Sequence, residues 1–110
     1  VSLHIPLTPA TRNLIGAGQM STMKPGAVII NSARGGVIDE MALATALREK
    51  RLGGAALDVF DAEPLKAGSP LAGCPNLVLT PHIAGVTAES NVRVSDMIAE
   101  RVAQFLLQAA

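Results

Sequence analysis

Tryptophan and tyrosine are absent and phenylalanine occurs only at Phe60 and Phe105, so stacking nucleic-acid bases on aromatic rings has almost nothing to work with. Charge is scarce and balanced, nine basic against nine acidic side chains. That removes the electrostatic case for nucleic acid or an anionic membrane as partner. The single cysteine, Cys74, excludes an internal disulfide and suits a reducing compartment, so cytoplasm is the expected location. Cys74 sits between Gly73 and Pro75 with no basic neighbour and reads as inert. No apolar run approaches the ~20 residues of a membrane span, and no signal-peptide pattern opens the chain. A dinucleotide fingerprint is missing as well. Gly16-Ala17-Gly18 is followed by Ser21 where a third glycine belongs, and the triplet reads as lying inside a helix. No metal site is expected.

What remains is a chain of 110 residues, 49% of them hydrophobic, which is a globular composition for one modest domain. Four short apolar runs stand out, at residues 1–5, 27–30, 55–59 and 77–80. They are largely apolar rather than alternating, which predicts strands of a parallel sheet covered on both faces. Between the first three lie helical signals. Thr8-Pro9 reads as cap and first residue of a helix running to a stop at Pro25-Gly26. Asp39 is placed to cap a second helix, with Leu43 and Leu47 on one face and Arg48, Lys50 and Arg51 at its negative end. A last helix is expected over 87–109, with the stripe Val94, Ile98, Val102, Phe105 and Ala109. Residues 60–77 carry no helical period and read as a loop. Strand–helix–strand–helix–strand is the pattern of a doubly wound α/β fold with right-handed crossovers, and three helices with four strands make about half of one. The first run begins as a strand with no initiator Met, which reads as a piece of a longer protein.

In open α/β sheets ligands sit beyond the carboxyl ends of the strands. The polar residues there are His4, the run Asn31-Ser32-Ala33-Arg34-Gly35-Gly36, Asp58 with Glu63-Pro64, and Pro81-His82-Ile83-Ala84-Gly85. One arginine, two carboxylates and, besides His4, one histidine thus emerge on the same edge. Each has a plain structural alternative. Arg34 could be a solvated loop charge, Gly35-Gly36 a tight turn with positive φ, and Glu63 an exposed carboxylate. Asp58, ending an apolar strand, needs partners whatever its role, and capping the next turn would supply them. His82 could be structural, and His4, beside a proline-containing stretch, reads as packing.

The motifs together settle more than any one of them. His4-Ile5-Pro6-Leu7-Thr8-Pro9, Met23-Lys24-Pro25-Gly26-Ala27, Asn31 to Gly36, Asp39-Glu40, Gly54 to Phe60, Glu63-Pro64 and Leu79 to Gly85 follow in order along nearly the whole chain. In that order they resemble the D-isomer-specific 2-hydroxyacid dehydrogenases. The resemblance implies half of a doubly wound, Rossmann-like NAD-binding domain, an oxidoreductase activity, and NAD as cofactor with NADP left open. It puts Arg34, Glu63 and His82 at the family's catalytic positions. His82 would take the hydroxyl proton, since a histidine with its ordinary pKa of ~6.5 can do so near neutral pH. Glu63 would fix the ring tautomer and stabilise the imidazolium. Arg34 would bind the carboxylate of a small 2-hydroxy or 2-oxo acid. For the cofactor, the resemblance implies Asp58 near the nicotinamide carboxamide and Ile5 and Pro6 beside the adenosine. Ser32, Ala33, Ala84 and Gly85, with Arg34 and His82, would lie near the nicotinamide.

On the same resemblance, residues 1–110 are the C-terminal part of a dinucleotide-binding domain whose phosphate-gripping turn lies upstream. The final helix would lead to a substrate domain. A fragment of this kind is expected to hold the catalytic side chains and turn over nothing by itself. Two other readings stay open. Its first strand would be an unpaired hydrophobic edge, which invites a homodimer or another self-association. A regulatory NAD-sensing module would keep the same residues without turnover.

Overall fold

A computed structural model describes residues 1–109 of the chain. Ala110, and the side chain of Ala109 expected in the last apolar stripe, lie outside the described set. In chain order the elements are β1 (Ser2–Leu3), α1 (Ala17–Thr22), β2 (Val28–Asn31), α2 (Glu40–Arg48), β3 (Gly54–Leu57), β4 (Leu77–Leu79) and α3 (Ala88–Ala109). The strands form one sheet in the order β1-β2-β3-β4, and every pair is parallel. This is the expected α/β architecture. Residues 60–77, expected to lack a helix, run as turns and bends up to β4.

The core fills one face of the sheet. Leu3, Ile29, Ala55 and Leu57 point to it, and Met20 of α1 with Leu43, Ala44 and Leu47 of α2 close over them. α1 and α2 also pack against each other. Right-handed crossovers made in one direction along a sheet put successive helices on the same side. The opposite face is therefore left without a layer, and the expectation of strands covered on both faces is corrected among the described residues. Val28, Ile30 and Val78 are exposed there. β2 alternates exposed and buried, a half-covered strand that is apolar up to its last residue, Asn31.

α2 forms where Asp39 predicts it. The Asp39 carboxylate accepts from the Ala42 N–H at 3.0 Å, and Glu40 and Arg48 lie in the first and last turns, each favourable toward the helix dipole. The first helix differs from expectation. Thr8 does cap a turn, its hydroxyl and carbonyl accepting from the N–H groups of Thr11 and Arg12. Asn13 then takes φ 51° and leaves the helical path. Its N–H donates to the Gly36 carbonyl at 2.7 Å, and Ile15 pairs with residues 37–39. Those long-range bonds satisfy backbone groups that a continuous helix would have used, so local propensity loses to tertiary pairing. Helix resumes at Ala17, with Gly16 as its cap. The Gly16–Gly18 triplet thus opens a six-residue helix rather than lying inside a longer one.

α3 is a 22-residue rod. The molecule is 61 Å long against 27 and 23 Å in the other directions. The helix was expected and is present, yet Val94, Ile98, Val102 and Phe105 are all exposed, Phe105 at 70%. The stripe faces no layer among the described residues. No described helix is long and apolar enough to cross a membrane.

Candidate active site

Because all four strands are parallel, their carboxyl ends share one edge, aligned by the pairings Leu3↔Asn31, Asn31↔Leu57 and Leu57↔Leu79. The sequence-derived residues leave from that edge in four loops, after β1, β2, β3 and β4.

The loop after β4 carries His82 and is held from beneath by Asp58. One Asp58 oxygen accepts from the Thr80 hydroxyl at 2.5 Å and the Ile83 N–H at 2.9 Å, and the other accepts from the Ala84 N–H at 2.9 Å. Asp58 is 6% exposed, so these bonds are what make its charge tolerable there. The Thr80 hydroxyl above all, then the Ala84 and Ile83 N–H groups, keep its carboxyl below the usual 3.8 against the opposing effect of burial. Asp58 therefore does not cap the turn that follows it, which was its plain alternative; its carboxylate holds the turn after the neighbouring strand.

His82 itself adopts φ 57°, a left-handed conformation that histidine tolerates better than most side chains. Its Nδ1 lies 2.8 Å from Glu63 Oε2. The other Glu63 oxygen accepts from the Phe60 N–H at 3.0 Å. The His82 bond first, and the Phe60 bond second, hold the Glu63 carboxyl below its usual 4.5. A carboxylate fixed at Nδ1 leaves Nε2 as the ring nitrogen without a hydrogen-bond partner among the described residues. The ring is about half exposed, at 49%. Its surroundings are mostly apolar, with Phe60, Pro64, Leu65, Leu79 and Pro81 joined by Thr80 in lining a cavity of about 530 Å³ beside the pair. A proton acceptor oriented by a carboxylate on the edge of an apolar hollow is suited to moving one proton.

Arg34 is brought to the same edge but not to the same cavity. It lines a hollow of about 330 Å³ with His4, Ile5, Pro6, Ser32 and Ala33. Its Nη1 donates to the Ala33 carbonyl at 2.6 Å, and no hydrogen bond joins it to Glu63 or His82. Between the two hollows lies a third, of about 200 Å³, lined by Ser32, Asp58 and Ala84 with Ile30, Val78 and Thr80. Gly85 follows in an exposed turn and lines none of the three. His4 is exposed rather than packed, with Nε2 2.8 Å from the Ser2 hydroxyl, which corrects its reading as a packing residue.

Several residues that hold this arrangement were not singled out from the sequence. Asn31 is 2% exposed and bonds the Arg34 loop with both ends of its amide. Glu40 Oε1 accepts from the Asp61 N–H at 2.7 Å, and Arg12 pairs with Asp61 at 3.1 Å, so two side chains fix the segment leading to Glu63. Gly35 lies against the Phe60 carbonyl, and a Cβ there would be 1.8 Å from that oxygen. Close approach, more than a turn, explains this glycine, whereas Gly36 has the positive φ, 77°. An Asn two residues before its bonded N–H is a recognisable turn signal; the Gly35 contact has no sequence signature.

Residues 1–84 match the family model of the D-isomer specific 2-hydroxyacid dehydrogenase, NAD binding domain, and the chain belongs to that family. It is 56% identical over 106 residues to (S)-sulfolactate dehydrogenase of Chromohalobacter salexigens, covering 96% of this chain and 34% of that protein. Among solved structures, an acyclic imino acid reductase in complex with NADPH and D-Arg superposes with a TM-score of 0.87 at 36% identity, over 97% of this chain and 34% of the other. D-lactate dehydrogenase from Aquifex aeolicus, complexed with NAD and lactic acid, superposes with a TM-score of 0.80 at 33% identity, over 97% and 37%. The chain thus spans about a third of the length of these relatives.

Proposed function

We propose that this chain is the C-terminal part of the dinucleotide-binding domain of an oxidoreductase. That enzyme passes hydride between a nicotinamide cofactor and a small 2-hydroxy or 2-oxo acid. The observation that carries the reading is the 2.8 Å contact between Glu63 and His82 Nδ1, at a histidine that lines an open hollow. The fit of the cofactor rests on the small hollow between the two larger ones. Its lining is almost wholly apolar, with Ile30, Ala56 and Val78 among the residues that form it, which suits the face of a flat ring. Ser32, Asp58 and Ala84, with Ala33 and Gly85 adjoining, would hold the nicotinamide end, and Ile5 and Pro6 the adenosine side. When bound, the cofactor accepts or supplies the hydride.

His82 Nε2 takes the hydroxyl proton in oxidation and returns it to the oxo oxygen in reduction. Glu63 keeps the proton of the neutral ring on Nδ1 and stabilises the doubly protonated ring. Arg34 leaves its own loop carbonyl to pair with the substrate carboxylate, an ion pair replacing a bond to a neutral acceptor. The relatives' names include NAD and NADPH, and NAD is proposed here with NADP as the other choice. Cytoplasm is the proposed location, and α3 would lead into a substrate domain.

In the protein with its native flanking sequence, His82→Ala abolishes glyoxylate-dependent oxidation of NADH or NADPH while cofactor binding stays within about twofold. Retained turnover in that variant defeats the assignment. The 110-residue chain alone is expected to bind NADH feebly and turn over nothing. A second reading, self-association into a homodimer, is favoured by the exposed stripe Val94, Ile98, Val102 and Phe105 and the open sheet face. Light scattering that gives a monomer at all concentrations excludes it.

A further inference from the structure

We propose that Asn31 is the positioning residue for Arg34, setting the place from which the guanidinium meets the substrate carboxylate. The inference rests on the functional reading above. Asn31 ends β2 on the buried side of the strand, at 2% exposure. Its Oδ1 accepts from the Ala33 N–H at 3.1 Å and its Nδ2 donates to the Arg34 carbonyl at 3.0 Å. The Ala33 carbonyl receives the Arg34 guanidinium at 2.6 Å. Three successive peptide units, before Ala33, between Ala33 and Arg34, and after Arg34, are therefore each held by a side chain. Gly35 then abuts the Phe60 carbonyl, which closes the loop from the other side.

The backbone of Arg34 is thus fixed while its side chain is exposed and tied only to a neutral carbonyl. A bidentate contact with a carboxylate depends on where the guanidinium plane starts from. A backbone shift of a fraction of an ångström at its root misaims both donors. An amide is required because the two partners are opposite in kind, one donor and one acceptor. A carboxylate at position 31 would face the Arg34 carbonyl with a second acceptor, and a hydroxyl could serve the Ala33 N–H alone.

The test is steady-state reduction of glyoxylate by NADH or NADPH in the protein with its native flanking sequence, for Asn31→Ala, Asn31→Asp and Asn31→Ser. Asn31→Ala is expected to raise KM for glyoxylate about tenfold or more, as misplaced binding groups do. kcat should fall less, and the NADH dissociation constant should stay within about twofold. Asn31→Asp, equal in shape, should be no better than alanine, and Asn31→Ser should fall between alanine and wild type. Two controls separate this idea from the functional reading beneath it. If wild type shows no reduction, or His82→Ala keeps it, the functional reading fails. If wild type is active and Arg34→Ala raises KM while the Asn31 variants do not, the positioning role alone fails. It also fails if Asn31→Asp restores wild-type KM, or if KM, kcat and cofactor affinity all worsen together with a lowered melting temperature. Loss of folding in all three variants would make Asn31 a structural residue and overturn the proposal too.

Discussion

Replacing Gly35 by alanine probes how the two halves of the site edge are joined. A Cβ built on Gly35 lies 1.8 Å from the Phe60 oxygen, 2.2 Å from the Phe60 carbon and 2.9 Å from the Asp61 nitrogen. Ordinary contact needs about 3.5 Å, so one loop must retreat by more than about 1 Å. All three atoms are backbone, so no side-chain rotation relieves the clash. The displaced peptide is the one whose N–H neighbours bind Glu63 and Glu40. Movement there draws Glu63 from His82. Overpacking of this kind costs about 1–3 kcal/mol, and misplacing a catalytic pair by ~1 Å costs on the order of a hundredfold in rate. Gly18→Ala is the matched control: nothing lies within 4 Å of its Cβ, and inside a helix the change should stabilise by up to about 1 kcal/mol. Urea unfolding of both variants, with turnover measured for Gly35→Ala, tests the argument. A Gly35→Ala protein within about 0.5 kcal/mol of wild type, which is the ordinary scatter of surface substitutions, would refute it.

Other outcomes follow from single contacts. Asp39→Ala removes the acceptor for the Ala42 N–H and should cost about 1 kcal/mol in urea unfolding, the usual value of a lost helix cap. Leu43→Ala opens a cavity at a fully buried position, 0% exposed, and should cost about 2–5 kcal/mol; a loss under 1 kcal/mol would mean that α2 is not seated on the sheet as described. Phe105→Ser on α3 should leave the unfolding midpoint unchanged, because 70% of that residue is already exposed. A clear drop would show that the stripe is packed in solution.

Much of the fold was legible because strand and cap signals are local. The four apolar runs became the four strands, with ends moved by one or two residues, and Asp39 capped α2 as its position implied. The first helix was misjudged because Asn13 and Ile15 bond to residues 36–39, partners twenty or more residues away that no window can see. Coverage of both sheet faces was misjudged for a different reason: apolarity at Val28 and Ile30 reports what a residue prefers, not what covers it. For the site, strand ends on a parallel edge brought Glu63 and His82 together correctly. The same reasoning could place Arg34 on the edge but not orient its guanidinium, which follows from a rotamer and a carbonyl acceptor. Asn31 went unread because its amide is spent inside the loop it precedes.

Among the described residues Asn31 and Asp58 are the two buried polar ones, at the ends of adjacent strands, with the Asp58 N–H donating to the Asn31 carbonyl at 2.9 Å. Their chemistry differs in the way their partners demand. Asn31 meets one donor and one acceptor; Asp58 meets three donors, which only a carboxylate can serve with both oxygens. Asp58→Asn should therefore set an NH2 group against one backbone N–H, that of Ile83 or Ala84, free that amide and speed its hydrogen exchange. It should also change the response to acid. The folded carboxyls of Asp58 and Glu63 both sit below their usual values of 3.8 and 4.5, so each favours folding above those values and loses that contribution as pH falls through the lower, folded value. Wild type should keep a flat urea midpoint from pH 7 to about 5 and lose stability progressively below about 4.5. In Asp58→Asn one of the two contributions is gone at every pH, so the midpoint should be lower at pH 7 and decline less on acidification. An Asp58→Asn protein that matches wild type at pH 7 and falls as steeply in acid would show that the carboxylate is not what holds the His82 loop.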